Sequence, residues 1–279
     1  MENLNTEKYI RLVDWQMKHL LLTTIAAVVL VGCGESQQSA PKSKAPTAKA
    51  TDISIGDAAA KGDIEAVKQH LAVGTDVNAT SNSGVTPLHQ AAGGGHKSVC
   101  ELLIQNGSDI NAICKFGSPL DVSIHFNQDE TAELLKRLGA KHKNLYFAVR
   151  AKDEESVKEL LSNGANVNSR NNPLQSTSLI YASLKGYTNI TKILISNGAE
   201  VNDMIVNKLT ALHAASSKGH LEIVDILINN NADINPVSYK LGKSETPLDA
   251  ALVNGFIEVS DLLRKHGGKT GRELKAEGK

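Results

Sequence analysis

Nine histidines and three cysteines are the residues of this 279-residue chain best suited to proton transfer, metal binding or nucleophilic attack. His89 and His213 each close a Thr-x-Leu-His tetrad, and His96 and His220 each follow a glycine seven residues further on. A working base or ligand needs a partner at a defined spacing. No His-Glu-x-x-His, Cys-x-x-Cys, Gly-x-Ser-x-Gly or Gly-x-x-x-x-Gly-Lys-Ser/Thr pattern occurs. The triple glycine Gly93-Gly94-Gly95 has the composition of a phosphate cradle, but it follows no strand and lacks the later glycine spacing. Cys100 falls at an apolar helix position and Cys114 in a turn region, so the two are poor candidates for a bridge. A metal pair of cysteine with His125 has no spacing behind it. The residues supply no catalytic site, no metal site and no cofactor site, and the chain is read as a non-enzyme.

The totals narrow the class further. Thirty basic and thirty acidic side chains cancel, and aromatic residues make up 4% of the chain. Phosphate backbones are tracked by excess Lys and Arg, and single strands by aromatic platforms, so a nucleic-acid partner is not expected.

The histidine tetrads lie inside longer copies. "TPLHQAAGGGHKSVCELLIQNGSDIN" at 86–111 and "TALHAASSKGHLEIVDILINNNADIN" at 210–235 share the tetrad, the Gly-His step, an apolar helical run and an acidic-apolar-Asn ending. The phase extends to seven units starting near Ile53, Thr86, Ser118, Lys143, Thr177, Thr210 and Thr246. Twenty-one residues into each stands Gly74, Gly107, Gly139, Gly164, Gly198, Asn231 or Gly267, the residue types that tolerate the left-handed backbone past a helix end. Thr86, Ser118, Thr210 and Thr246 suit the N-cap of a first helix, with Pro87, Pro119 and Pro247 at its first position. Ile223, Val224, Leu227 and Ile228 show the helical spacing of a second helix. One such unit cannot bury its own apolar face, so stability must come from stacking.

This pattern resembles the ankyrin repeat, with its Thr-Pro-Leu-His signature and period of about 33 residues. The resemblance implies an all-α repeat solenoid of stacked helix-turn-helix units with short β-turn fingers, spanning 53–270 and followed by a C-terminal tail at 271–279. It also implies that His89 and His213 bond backbone across units, with Asp121 and Asp249 in the same place in two other units. His96 and His220 receive the same structural reading. Partners of such arrays lie along the fingers and the exposed side of the inner helices. The position after the tetrad is Asp57, Gln90, Val122, Phe147, Tyr181, Ala214 and Ala250 in turn. With Phe126, Arg150 and Leu184 on the same helices, the bulk concentrates in the middle units, as in an interface hot spot. The expected partner-binding residues are therefore Gln90, Val122, Phe126, Phe147, Arg150, Tyr181 and Leu184. An alternative reading of Phe147 is that it fills the space of a missing finger.

Two units depart from the rule. Lys143 follows Ser118 by 25 residues, so about eight residues of finger are missing between units three and four. The array is then either one continuous stack with a deleted finger or two blocks, 53–142 and 143–270. The continuous stack is preferred because Leu145 and Ala148-Val149 keep the inner-helix phase. "LLKRLGAKH" at 134–142 also echoes "LLRKHGGKT" at 262–270. Between units six and seven the finger is about three residues long in excess, which adds Tyr239 to the candidate surface.

The front of the chain reads as an address. Met17-Lys18-His19 leads into twelve apolar or hydroxyl residues, 20–31, whose helix would rise about 18 Å, too short to span a bilayer. The ending Leu30-Val31-Gly32-Cys33 looks like a bacterial lipobox. It implies a signal peptide over 17–32, cleavage before Cys33 and diacylglycerol on its thiol. Residues 1–16 are slightly acidic where a signal is basic, so translation is expected to start at Met17. The Ser/Ala/Pro/Lys segment 34–52 is a tether reaching at most about 60 Å. The whole predicts a lipid-anchored protein of the bacterial cell envelope whose array binds another protein as a scaffold or sequestering module. The alternatives are a helper of an envelope enzyme, or a small-molecule or metal binder at the junction of units three and four.

Overall fold

The computed structural model describes residues 53–170, 175–240 and 243–278. Residues 1–52, with the signal segment, Cys33 and the tether, lie outside the described residues. Seven helix pairs follow one another: α1 (Ile55–Lys61) with α2 (Ile64–Ala72), α3 (Pro87–Gly94) with α4 (Lys97–Gln105), and α5 (Pro119–His125) with α6 (Asp129–Arg137). Next come α7 (Leu145–Arg150) with α8 (Glu154–Ser162), α9 (Ser178–Lys185) with α10 (Thr188–Ser196), α11 (Ala211–Ser216) with α12 (Leu221–Asn229), and α13 (Pro247–Val253) with α14 (Ile257–Lys265). The odd-numbered, inner helices stack on one another in chain order, and the even-numbered ones stack behind them.

Each inner helix begins where a hydroxyl or amide side chain can hold a free backbone N–H. Thr86, Ser118, Thr210 and Thr246 all do so, and three of the four helices they cap start on proline. In units one and four the cap falls one residue later than the repeat phase, on Ser54 and Asn144. Each outer helix ends on a left-handed residue: the six glycines from Gly74 to Gly267 have φ between 81° and 90°, and Asn231 has φ 63°.

The fingers are locked to one another by asparagine. Asn78 donates to the Gly107 carbonyl at 3.1 Å and accepts from the Asp109 N–H at 2.8 Å. Asn168, Asn202 and Asn235 repeat this double bond onto the next unit's helix end, and Asn111 makes the accepting half to Lys141. The long sixth finger folds into a hairpin of β1 (Ser238–Lys240) and β2 (Lys243–Glu245), with Tyr239 opposite Ser244.

The segment read from sequence as a C-terminal tail is corrected by the structure. Gly271–Ala276 forms a further helix, α15, with Thr270 and Glu273 in a reciprocal capping box and Leu274 buried. It is tied to unit seven by the Gly271 N–H bond to Asp249 and by the Arg264–Glu273 pair at 2.8 Å.

The apolar core comes in two stretches, one from Ile55 to Ala140 and one from Leu145 to Leu263. Between them α5 and α7 remain stacked, joined by the buried Asp121–His142 pair and by the ring contact of His125 with Phe147.

Candidate functional site: the seam between units three and four and the inner-helix face beside it

The seam is built around Asp121, which is fully buried at the position the histidine occupies in the tetrad units. In those units the imidazole Nδ1 accepts from the N-cap threonine. Thr86 N–H reaches His89 at 3.1 Å, and His89 Nε2–H donates to the Gly117 carbonyl of the next finger at 3.1 Å. His213 does the same with Thr210 and the Glu245 carbonyl at 3.0 Å. Where the finger is deleted no carbonyl arrives. The N-terminal end of the next helix arrives instead, presenting N–H groups, and only an acceptor can meet it. Asp121 Oδ2 accepts from Lys143 N–H at 2.8 Å and Asn144 N–H at 3.1 Å, besides the Ser118 N–H at 2.9 Å. Its Oδ1 accepts from His142 Nδ1 at 2.7 Å, and both side chains are shut off from solvent.

The same substitution recurs at the other end of the array. Asp249 Oδ2 accepts from Thr246 N–H at 3.0 Å and from Gly271 N–H at 2.7 Å, at the start of α15. Ser118 and Thr246 both donate 23 residues onward, to Lys141 and Lys269 carbonyls at 2.8 Å. The echo between 134–142 and 262–270 is thus the shared sequence of two fingerless junctions. At the seam, Lys136 pairs with Asp153 at 2.9 Å and so ties α6 to the cap of α8. Burial works to raise the Asp153 carboxyl, and the Ser156 N–H, Lys136 and His142 together bring it below its usual range.

A string of rings crosses the inner face beside the seam. Phe116 stacks on His125 at 5.7 Å, His125 meets Phe147 edge-on at 5.7 Å, and Phe147, Tyr146 and Tyr181 continue at 5.5 and 5.3 Å. Phe126 packs edge-on to His125 at 4.6 Å. Neither ring nitrogen of His125 has a hydrogen-bond partner among the described residues. Burial, and then the nearby Arg150 charge, push this histidine down to about 4. Burial also takes His213 down to about 4, against its bond to the Glu245 carbonyl. Both are neutral in the fold and would protonate near their ordinary value of about 6.5 when unfolded. The unfolded chain therefore binds more protons between about pH 6.5 and pH 4, and stability must fall as pH drops through that window. Each histidine contributes about 1.4 kcal/mol per pH unit there. His125→Leu is expected to flatten this slope and to leave stability at pH 7.5 unchanged or higher, as read from urea midpoints across the window.

The structure divides the sequence-derived surface residues. Phe126, Arg150, Tyr181 and Leu184 are partly exposed on the inner helices, and Tyr239 is 48% exposed on its hairpin with Lys208 Nζ 5.3 Å from the ring centroid. Gln90 is partly exposed too, but its amide occupies the space a Cβ on Gly56 would fill. Two assignments to the binding surface are corrected. Phe147 is fully buried and Val122 is 5% exposed, so neither side chain can meet a partner. Phe147 fills the space beside the deleted finger, and Val122 packs with Phe126 over Gly93, where a Cβ would come within 3.2 Å of both side chains. The triple glycine is accounted for by this close approach. Gly94 lies against the His96 ring, and Gly95 takes a left-handed φ of 77°. His96 and His220 donate backward to the Ala60 and Leu184 carbonyls at 3.0 and 3.2 Å, which absorbs them into the stack. Cys100 is a buried core thiol pushed up to about 12, first by desolvation. The sequence reading passed over Lys152, Lys185 and Lys218, whose signal was available: they recur at intervals of 33 residues.

The fold is a helical repeat array of stacked helix pairs joined by fingers. A family model described as ankyrin repeats in three copies matches residues 55–144, 145–238 and 207–273, and the chain belongs to the ankyrin-repeat family. Ankyrin repeats mediate protein–protein interaction. The chain is similar to ankyrin repeat and SOCS box protein 14 of Mus musculus, 37% identical over 150 residues, covering 54% of this chain and 22% of that protein. It is also similar to Rabankyrin-5 of Homo sapiens, 34% identical over 166 residues, which are 55% of this chain and 14% of that one. Mitochondrial disaggregase of Bos taurus is 34% identical over 141 residues, 46% of this chain and 20% of that protein. The matched part of this chain thus spans about a fifth or less of each relative's length. Among solved structures, the human ASB11 ankyrin repeat domain aligns over 75% of this chain and 96% of its own, with 26% identity and a TM-score of 0.48. The family model also breaks between residues 144 and 145, at the seam.

Proposed function

We propose that this protein is a lipid-anchored adaptor of the bacterial cell envelope that holds a protein partner on the inner-helix face of its array. The observation that carries the binding half is the placement of Phe126, Arg150, Tyr181 and Leu184. These large side chains remain partly exposed on adjacent inner helices of a rigid stack. An arginine and aromatic side chains held on rigid elements lose little entropy when a partner covers them. The anchoring half is supported by the Leu-Val-Gly-Cys ending at Cys33 and the polar tether behind it. Two acyl chains or more would give stable anchoring where one is marginal.

The binding half is tested by crosslinking pulldown with Arg150, Tyr181 and Leu184 all changed to Ala. Tyr181 and Leu184 also pack on the core, so folding is checked by circular dichroism; the folded variant is expected to lose most of the recovered partner, and undiminished recovery would remove this face. For the anchor, Cys33→Ala is expected to move the protein from the membrane fraction to the soluble one. Continued membrane retention would exclude lipid attachment at Cys33.

A further inference from the structure

Charge is divided unevenly between the two layers of helices. The outer helices are studded with carboxylates, among them Glu130, Glu133, Glu154, Glu155, Glu222 and Asp225. The inner helices of units four to six, α7, α9 and α11, carry no carboxylate at all. With the residues that close them they carry Arg150, Lys152, Lys185 and Lys218, and none of these four forms an ion pair among the described residues. Arg150 is steered by Asn127 Oδ1 at 2.5 Å. Lys152 lies 5.5 Å from the ring centroid of Tyr187, and Lys185 lies 5.8 Å from that of Tyr181. Six of the eleven other lysines and arginines on the helices, Lys68, Lys97, Lys136, Lys158, Lys192 and Arg264, pair with a carboxylate; these four do not.

The spacing adds a second constraint. Lys152, Lys185 and Lys218 sit one repeat apart, 33 residues each time, and so step along the stack with the inner helices. Packed helices lie about 8–10 Å apart. A polyproline II chain has three residues per turn and advances about 3.1 Å per residue, so the same side of the chain returns about every 9 Å, one step of the stack. Tyr181 and Leu184, partly exposed on α9 beside Lys185, offer apolar surface rather than more charge.

We propose that this face takes a polyproline II segment of the partner protein with an acidic side chain at every third residue and apolar side chains between. The inference rests on the protein-binding reading and names the chemistry of its partner. An anionic surface without that period would use the charges but leave Tyr181 and Leu184 idle.

The test uses the full-length chain in detergent with labelled synthetic peptides of twelve residues. One carries Glu at every third position with Leu and Ser between; a second has the same composition with the Glu residues clustered; a third has Lys in place of Glu. The periodic acidic peptide is expected to bind about tenfold more tightly than the clustered one, and to lose about tenfold when Lys152, Lys185 and Lys218 are all changed to Gln. Raising salt from about 50 to about 300 mM is expected to weaken it further. Changing the three lysines to Glu is expected to transfer preference to the basic peptide. Equal binding of periodic and clustered peptides, or of acidic and basic ones, would overturn the proposal. So would tighter, lysine-dependent binding of anionic vesicles or of an oligonucleotide. If the partner crosslinks to the Gln variant as well as to the parent, the acidic-segment assignment falls and the protein-binding reading stands. If nothing crosslinks to either, both fall.

Discussion

Asp121→Ala is expected to destabilise the protein by about 3–5 kcal/mol and to split its unfolding into two steps. The carboxylate has no exposure and accepts from Ser118, Lys143 and Asn144 N–H groups and from His142 Nδ1. Alanine would strand those donors in a space water does not reach, which costs far more than the net worth of the bonds themselves. Asn would keep one acceptor but turn an NH₂ toward a cluster of donors, so Asp121→Asn is expected to recover only part of the loss. The splitting follows from the core. The apolar clusters of units one to three and four to seven do not run into each other, and the Asn ladder of the fingers skips this junction. In a repeat array, cooperativity is passed through neighbour interfaces. Guanidinium denaturation followed by circular dichroism checks both parts. A single transition shifted by less than about 1 kcal/mol would mean that the seam is held elsewhere.

Phe147→Ala is expected to cost about 3–5 kcal/mol, from lost burial and the cavity left behind. The ring is fully buried and touches both His125 and Tyr146, so the cavity would open under the string of rings that crosses from unit three to unit five. The effect should be on stability, with partner affinity changed only through the population of folded protein. Phe147→Leu, which keeps most of the volume, is expected to retain partner recovery. A Leu variant that folds like the parent yet loses its partner would put Phe147 back on the binding surface.

The array was legible in the sequence because its backbone demands are met by few residue types. A left-handed helix end admits Gly or Asn, a first helical turn favours Thr or Ser before Pro, and both recur at fixed phase. The exposed side of the inner helices was half legible. Tyr181, Leu184 and Arg150 stand where the phase places them, but the phase cannot say that the deleted finger lets Phe147 sink inward. His89 and His213 taught the rule for the tetrad, whereas Asp121 and Asp249 looked like neutral replacements. Their meaning needed the next segment in place, since an acceptor is required only where an N–H arrives in place of a carbonyl. The helix at 271–276 was announced by Thr270-Gly-Arg-Glu273, a capping box followed by Leu274, and was passed over because it falls after the last full repeat.

A partner protein on the inner-helix face would be within reach of a probe placed there and out of reach of one on the outer helices. The most direct measurement places a photocrosslinking amino acid at Tyr181 in one chain and at Glu155, on the outer helix of unit four, in another. A discrete crosslinked protein is expected from position 181 and none from position 155. Crosslinking from 155 alone, or equally from both, would contradict a partner on the inner-helix face.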